Sequence, residues 1–397
     1  MLPMKPSMPQ VWKFYLSSFL KNQTYFVPIL IVFLQAQHLT LSQIFWVFAL
    51  GSAASFILEI PSGVMADFFG KKPTILLAKS LGVAAFLMFA FSDTFWLFVA
   101  AQVVYEVSKA FKSGSEAAYI YDYLDQDRQA PDYTEVKAKQ KFWARGGEAI
   151  ATALGGVIAA QISYRAVFLI AAVPALANVV NVATWNKIPE TTVKKDVWAA
   201  TKRHLDTSWK RVRDNTRLRT IIINFSLFTA ALAAIATFIQ PYMKTVGIPI
   251  EQFGFIYSGA LVISAFLARY AKPLGKKYGM VRSINVLAVI AIVPALIIGL
   301  GLQSLIGVVL LFTITVVENV RNPLANTYFH QHVKQRERAT IGSFLQQMKS
   351  LGKMILLPIA GALAETTMPG AILLAMGVLV INSLAFRIRS PTPAKHA

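Results

Sequence analysis

The chain consists largely of apolar segments about as long as a membrane-spanning helix, separated by short polar gaps. A helix needs roughly 20 mostly apolar residues to cross a bilayer, and in lipid its backbone must satisfy its own hydrogen bonds. We therefore predict an all-α membrane protein with twelve transmembrane helices. They are expected at 12–36, 41–66, 74–92, 94–120, 139–162, 164–186, 218–240, 250–270, 280–301, 303–326, 339–364 and 367–388.

Lysine and arginine residues concentrate in alternate gaps between these segments. The odd-numbered gaps are short and have only Arg165 and Lys244 nearby. The even-numbered gaps contain Lys71, Lys72, Arg128, Lys137, Lys139, Lys272, Lys276, Lys277, Lys334, Arg336 and Arg338. Because basic loops stay on the cytoplasmic side of a membrane, we predict that these gaps and both termini are cytoplasmic.

The longest connection, 187–217, falls midway along the chain and is strongly basic. Its apolar residues recur about every seven positions, at Trp198, Leu205 and Val212, with Trp209 close by. This spacing favours an amphipathic helix on the cytoplasmic leaflet, with a disordered basic linker as the alternative. Either way, the connection separates a first half, 1–186, from a second half with a short tail, 218–397.

Composition argues against several other classes of protein. The net charge is +20, which in a soluble protein would suggest nucleic-acid binding. Here the basic residues lie between apolar segments, so we predict anionic lipids as partners and no nucleic acid. With no cysteine, thiol catalysis and cysteine metal sites are excluded. His330 and His332 are interpreted as a solvated loop pair. Without a zinc, serine-elbow or phosphate-loop motif, we expect neither an enzyme nor a cofactor or metal.

The gap after the second segment carries a recognisable motif. It reads Gly63-Val-Met-Ala-Asp67-Phe-Phe-Gly70-Lys71-Lys72. Gly63 would let two helix ends approach closely, and Gly70 can take a backbone conformation barred to bulky residues. Asp67 can accept hydrogen bonds from a helix N-terminus, while Lys71 and Lys72 can meet lipid head groups or a carboxylate. The pattern resembles the signature loop between helices 2 and 3 of the major facilitator superfamily.

Two further observations bear on this resemblance. Phe68 stands where the family often has a basic residue, which weakens the expected charge network. The second half holds a degenerate copy of the motif, from Arg269 to Gly279, in which Lys276 replaces the acid; parallel repeats leave such copies. The resemblance implies twelve helices in two pseudo-symmetric six-helix halves, transport by alternating access, and a bacterial cytoplasmic (inner) membrane location.

The fifth segment has small residues four positions apart, at Gly147, Ala151, Gly155 and Ala159. It is similar to the glycine-proline pattern of antiporters in the superfamily, although Ala151 and Thr152 replace a glycine and the proline. Close helix packing explains the spacing equally well. Stretches 110–122 and 338–343 look like those of bacterial efflux members, so the resemblance favours a drug:proton antiporter-like exporter.

Ionisable residues inside the spans are the candidates for proton coupling, because such residues are costly in lipid and usually face a cavity or a partner. Glu106 is the first choice, since Lys109 shares its helix face. Glu148, with Arg145 one turn away, is second, and Glu318 in helix 10 is third. A fixed ion pair that only holds helices together is the alternative for each. Outside this set, Glu116 and Asp122 are expected to anchor helix 4 at the cytoplasmic surface.

Polar and aromatic side chains on the expected cavity helices complete the prediction. The substrate-cavity candidates are Lys21, Asn22, Tyr25, Tyr105, Lys109, Arg145, Tyr257, Asn319, Gln346 and Lys349. Together they suggest an amphiphilic site, and the lysines suit a substrate with an anionic group. We expect a monomeric, proton-coupled exporter of a small amphiphilic compound. An uptake symporter and a lipid or lysolipid flippase are the alternatives.

Overall fold

The computed structural model describes residues 8–112, 114–126, 132–188 and 197–389. In this part of the chain every regular element is a helix, which confirms the predicted all-α fold. The helices are α1 (Met8–Leu20), α2 (Leu30–Ala36), α3 (Leu41–Phe69), α4 (Lys71–Phe91), α5 (Phe95–Lys112), α6 (Ser115–Asp125), α7 (Tyr133–Gln161), α8 (Tyr164–Ala183), α9 (Val197–Asp214), α10 (Thr216–Thr237), α11 (Ile239–Thr245), α12 (Ile250–Ala268), α13 (Ala271–Tyr278), α14 (Met280–Gly299), α15 (Leu305–Gln331), α16 (Arg338–Thr366) and α17 (Met368–Ala385).

Each of the twelve predicted spans coincides with one helix or with two consecutive helices. By length and composition alone, eight helices within the described residues are long and apolar enough to cross a membrane. The other four predicted spans are 12–36, 94–120, 139–162 and 339–364, which are broken or carry more polar residues. These four spans also contain most of the ionisable residues that lie within spans. The same side chains that suggest function therefore lower the mean hydropathy of these helices.

Three of the predicted spans are not one continuous helix: 218–240 passes from α10 to α11 at Phe238, and two others are interrupted in unit 1. The first, 12–36, is divided into α1 and α2 by an irregular segment at 21–29. The fourth, 94–120, is divided into α5 and α6, and Gly114 after the break has a φ of +80°. Non-helical backbone at membrane depth is tolerated where it is buried in protein or lines a cavity. Both breaks are therefore candidates for functional positions.

The chain divides into two compact units. Unit 1 comprises Met1–Leu205 with Gly247–Gly259, and unit 2 comprises Asp206–Val246 with Ala260–Ala397. Two boundaries fall inside α9 and α12, and the third lies in the loop between α11 and α12. The division into repeat halves at 1–186 and 218–397 stays a prediction.

Small residues on α7 allow the broken first span to pack closely in unit 1. A Cβ added to Gly147 would lie 2.7 Å from the carbonyl oxygen of Phe19, and one added to Gly155 would lie 1.9 Å from that of Tyr25. On the adjacent side, a Cβ on Gly156 would lie 2.4 Å from the carbonyl oxygen of Ile250. The close packing predicted from the spacing of these residues is confirmed.

In unit 2, α10 lies at the centre and packs against α15, α16 and α17. Arg321 on α15 is 1% exposed. Its guanidinium group donates to the Asn224 side-chain oxygen at 2.6 Å and to the Ile284 carbonyl at 3.2 Å, and it lies 3.8 Å from the ring centre of Phe228. This arginine joins α10, α14 and α15 through its polar atoms.

The basic connection contains a helix, as predicted. In α9, Val212 is buried and Leu205 is half-buried, whereas Trp209 is 59% exposed. The side chain of Val212 therefore packs inside the protein, and the placement of this helix on the cytoplasmic leaflet stays a prediction. The side chain of Trp198 and residues 189–196 lie outside the described part of the chain.

Candidate functional site

A buried carboxylate in unit 1 holds lysines from two other parts of the fold. Glu116, in the first turn of α6, accepts a hydrogen bond at 3.0 Å from Lys21, just after α1, through Oε1. Its Oε2 accepts another, also at 3.0 Å, from Lys79 on α4. The side chains of Glu116 and Lys79 are only 7% and 6% exposed. The expectation that Glu116 anchors helix 4 at the surface is thus corrected: it is the centre of a buried charge cluster.

Next to this cluster lies a cavity of about 60 Å³. Buried water needs roughly 10–15 Å³ of such space, so the cavity exceeds a single water site. Four lysines line it, namely Lys21, Lys79, Lys109 and Lys112. The remaining lining is a mixture of small or aliphatic residues with polar and aromatic ones, among them Gln23, Thr24, Phe86, Tyr105, Ser108 and Asn178. The described lining contains no acidic side chain.

The predicted pair of Glu106 and Lys109 is present at the edge of this cavity. Glu106 Oε1 accepts from Lys109 Nζ at 2.9 Å and from Gln102 Nε2 at 3.4 Å. Glu106 is buried, while the ammonium group of Lys109 lies 5.4 Å from the ring centre of Tyr105. Glu59 on α3 also lies within electrostatic range of Lys109. Lys109 therefore pairs with the carboxylate of α5 and also lies in the electrostatic field of a carboxylate on α3.

The second coupling candidate has a different environment. Glu148 and Arg145 form an ion pair at 2.7 Å along α7, with side chains 27% and 42% exposed. Neither residue lines the lysine-rich cavity. Exposed pairs of this kind contribute little to stability, and the structure does not bring this pair together with Glu106.

The third candidate and its predicted neighbours lie in unit 2. Glu318 Oε1 accepts a long hydrogen bond, 3.5 Å, from Asn322, and Lys349 and Lys353 of α16 lie within electrostatic range of Glu318. The Asn319 side chain donates to Thr315 of its own helix. Gln346 is exposed. The carboxylate thus faces the two lysines that the sequence places one turn apart.

The other predicted cavity residues of unit 1 do not line the lysine-rich cavity. The Asn22 amide donates to the Ser18 carbonyl at 2.6 Å, which satisfies the end of α1. The Tyr25 hydroxyl donates to Gln23 at 2.9 Å, and Tyr257 lies on α12. Of the predicted set in unit 1, the cavity gathers Lys21, Tyr105 and Lys109.

The loop motif is built around Gly70, which ends α3 and precedes α4. Its φ is +92°, so the expected glycine-specific conformation is confirmed. Lys71 forms an ion pair with Asp122 of α6, and Lys72 donates to the Ala183 carbonyl at the end of α8 at 2.9 Å. Both lysines therefore fasten α4 to neighbouring helices of unit 1.

Gly63 and Asp67 are the two remaining residues of the motif. Gly63 does not provide the predicted close approach, since no atom of the described residues lies within 4 Å of where its Cβ would be. The side chain of Asp67 lies outside the described part of the structure. Its expected role at a helix N-terminus stays a prediction.

Sequence reasoning missed the group that defines the site. Lys79 and Lys112 were recognisable as charges inside spans, but their sequence positions do not reveal a common cavity. The position of Glu116 close to the predicted end of helix 4 indicates a surface location, which the structure contradicts. The only available signal was the cost of interior charge, which requires a partner for each lysine.

Comparison with known proteins identifies the family. The sequence model of the Major Facilitator Superfamily matches residues 14–356, so the chain belongs to that superfamily. It is 21% identical over 340 residues to YxaM of Bacillus subtilis (strain 168), an uncharacterized MFS-type transporter. The alignment covers 83% of this chain and 82% of that protein.

Solved structures share the fold at low sequence identity. The nucleoside transporter NupG superposes with a TM-score of 0.78 at 17% identity, covering 96% of this chain and 98% of that one. The human organic anion transporter MFSD10 (TETRAN) gives a TM-score of 0.67 at 14% identity, covering 96% and 100%. These similarities show the fold alone and leave the substrate to be argued from the site.

Proposed function

We propose that this member of the Major Facilitator Superfamily is a proton-coupled exporter of a small amphiphilic compound that carries an anionic group. It works by alternating access in the bacterial cytoplasmic membrane. The observation that supports this most strongly is the cavity in unit 1, whose described lining has four lysines and no acid. Cations in a membrane interior are costly unless they meet a partner or water. Glu116 and Glu106 pair with three of these lysines, and an anionic substrate would supply a partner for Lys112, which makes no ion pair in the described residues.

The rest of the lining suits an amphiphile. Phe86 and Tyr105 provide aromatic surface beside the lysines, and Gln23, Ser108 and Asn178 provide hydrogen-bonding groups. Ligand sites are typically apolar surfaces with a few polar groups that orient the ligand. An aromatic or aliphatic anion would therefore fit this chemistry better than a sugar or a free metal ion.

Glu106 is the proposed proton carrier. Its carboxylate is buried and held by Lys109. A nearby cation favours the ionised form of a carboxyl group and burial favours the neutral form. An anion in the cavity would compete with the Glu106 carboxylate for Lys109. Because such competition makes binding of the proton and binding of the anion favour each other, this pair by itself supports the symport alternative, and the export direction rests on the α7 pattern. Glu148 and Glu318 remain as second and third candidates.

The partial antiporter pattern on α7 supports export over uptake in this proposal. Uptake by symport and lipid transport are the competing outcomes of the test.

Protein purified into liposomes with an imposed pH gradient would be given aromatic anions, cations and neutral compounds of similar size. We expect gradient-driven movement of anions against the proton flux. Transport of cations or neutral compounds alone would overturn the proposal, and movement of anions with the protons would reverse its direction.

The variant Glu106→Gln tests the coupling step. We expect it to fold normally and to transport the anion without dependence on the pH gradient. Glu135→Gln is a matched control, because Glu135 forms an exposed ion pair with Lys139 on α7. If Glu106→Gln retained full gradient dependence, Glu106 would have no coupling role.

A further inference from the structure

We propose that Glu116 is an internal counter-ion in an anion-binding subsite. A dianionic group of the substrate binds there by displacing Glu116 from Lys21 and Lys79 and by also contacting Lys112, which makes no ion pair in the described residues. The group would be a phosphate monoester or a dicarboxylate. This inference rests on the proposed transport of an anionic compound and specifies its charge and binding position.

The Glu116 carboxylate is held by lysine donors in the way that a bound anion would be held. Each carboxylate oxygen accepts one lysine, Oε1 from Lys21 and Oε2 from Lys79, both at 3.0 Å. The two ammonium groups come from the end of α1 and from α4, so the carboxylate bridges separate helices. Both lysines also line the cavity. A ligand oxygen entering from the cavity would therefore compete for the same two donors.

One carboxylate does not balance the cations around it. Lys112 and Lys137 also lie within electrostatic range of Glu116. In the described part of the chain neither makes an ion pair or a hydrogen bond, although Lys137 lies 5.6 Å from the ring centre of Tyr133. Four lysines against one acid leave an excess of three positive charges, which a dianion would largely neutralise.

Lys109 does not contribute to this excess. It is paired with Glu106 at 2.9 Å and also lies in range of Glu59. Lys112 is the one lysine among those lining the cavity that makes no ion pair in the described residues. Charged hydrogen bonds are the stronger ones in proteins, so Lys112 is the natural third donor to a bound dianion.

Most charged side chains of the subsite lie at helix ends, where they can change hydrogen-bond partners. Lys21 begins the irregular segment between α1 and α2, and Lys112 ends α5. Glu116 lies two residues after Gly114, whose φ is +80°. Side chains at helix ends can change partners without bending a helix. The two helix breaks in unit 1 thus coincide with three of the four charged groups of the subsite.

Binding at fixed pH, without a gradient, tests the subsite independently of transport. The probes are phenyl phosphate, phenylsuccinate, inorganic phosphate, benzoate and benzyl alcohol, titrated calorimetrically into full-length protein in detergent at pH 7. We expect the two aromatic dianions to bind, benzoate to bind more weakly and benzyl alcohol not to bind. Tighter binding of inorganic phosphate than of phenyl phosphate would identify free phosphate as the ligand. If none of the dianions binds the wild type or Glu116→Gln, the proposal is wrong.

Whether Glu116→Gln strengthens or weakens ligand binding distinguishes two roles of Glu116. Either Glu116 competes with the ligand for the lysines, or it only positions them. We expect Glu116→Gln to bind phenyl phosphate about tenfold more tightly and Lys112→Gln about tenfold more weakly, since a charged hydrogen bond is worth about one such factor. Lys139→Gln, on an exposed pair, should leave affinity unchanged. Weaker or equal binding by Glu116→Gln would show that Glu116 only positions the lysines.

Folding of Glu116→Gln is monitored in the same experiment. Because the variant leaves its lysines without a counter-ion, we expect a lower Tm than wild type without ligand. A ligand that binds the folded state raises Tm, so phenyl phosphate should raise the Tm of the variant more than that of wild type. A larger rise in the Tm of wild type than in that of the variant would overturn the proposal.

Dianion binding without proton-driven flux would refute the proposed function and leave the subsite intact.

Discussion

Gly70 and Gly279 adopt nearly the same backbone conformation, with φ of 92° and 84° and ψ of 152° and 138°. Each separates two consecutive helices, Gly70 between α3 and α4 and Gly279 between α13 and α14. They occupy equivalent places in the loop motif and in its degenerate copy. The copy has lost the acid, with Lys276 in its place, but has kept the glycine. The backbone turn therefore survives where the charged group does not.

Replacing either glycine by alanine should destabilise the protein. A side chain at these positive φ values is strained, at a cost of about 1–3 kcal/mol. We expect Gly70→Ala and Gly279→Ala each to lower the Tm measured in detergent. Gly63→Ala is the matched control, because Gly63 lies inside α3 with open space around it. Alanine there should raise stability by about 0.5–1 kcal/mol. Equal Tm values for all three variants would contradict the argument.

Arg321 and Asn224 should behave as a coupled pair. Lysine at position 321 would lose the planar fork that reaches both Asn224 and the Ile284 carbonyl. We expect Arg321→Lys to destabilise unit 2 by about 1–3 kcal/mol, since buried polar atoms are left unsatisfied. In an Asn224→Ala background, the same change should cost clearly less. Thermal unfolding of the two single variants and the double variant measures this.

Additive effects of the two substitutions would show that the 2.6 Å contact does not stabilise the fold. The control is Arg282→Lys on α14. Arg282 is exposed, and substitutions at such positions change stability by within about 0.5 kcal/mol. A large effect of Arg282→Lys would mean that arginine loss itself, rather than burial, lowers Tm.

The sequence predicts the pairs that lie along one helix and misses those that join helices. Glu106 with Lys109 and Arg145 with Glu148 are three residues apart, so helical geometry alone brings them together. Glu116, Lys21 and Lys79 are far apart in the chain, and no local spacing relates them. Their contact depends on how the helices pack, which the pattern of apolar segments leaves open.

The breaks in the first and fourth spans are also not evident from the pattern of apolar segments. Residues 21–24, Lys-Asn-Gln-Thr, are polar, but apolar residues resume at Tyr25, so the pattern indicates one interrupted helix. Pro28 was the available signal, because proline removes a helical hydrogen bond. At Gly114 the signal is weaker, since a glycine inside a helical pattern is often tolerated. The spans themselves were predictable because bilayer thickness sets their length.

The orientation predicted from the basic loops can be tested by labelling. Since the chain has no cysteine, single substitutions give a clean signal. Lys276 and Gln303 are both exposed and lie in gaps assigned to opposite sides. In intact spheroplasts, we expect a membrane-impermeant maleimide to label Gln303→Cys and not Lys276→Cys. Labelling of Lys276→Cys alone would invert the proposed topology. Lysed spheroplasts, in which both should react, provide the control.

Neighbouring glycines on α7 give the sharpest packing test. A Cβ at Gly147 would press on the Phe19 carbonyl oxygen at 2.7 Å, whereas one at Gly146 would meet no atom of the described residues within 4 Å. We expect Gly147→Ala to lower stability by about 1–3 kcal/mol and Gly146→Ala to raise it slightly. Gly155→Ala should be the most damaging, because its Cβ would lie 1.9 Å from the Tyr25 carbonyl oxygen. The measurement is Tm together with the yield of monodisperse protein. If Gly146→Ala were as harmful as Gly155→Ala, helix α7 would not pack against the broken first span through this face.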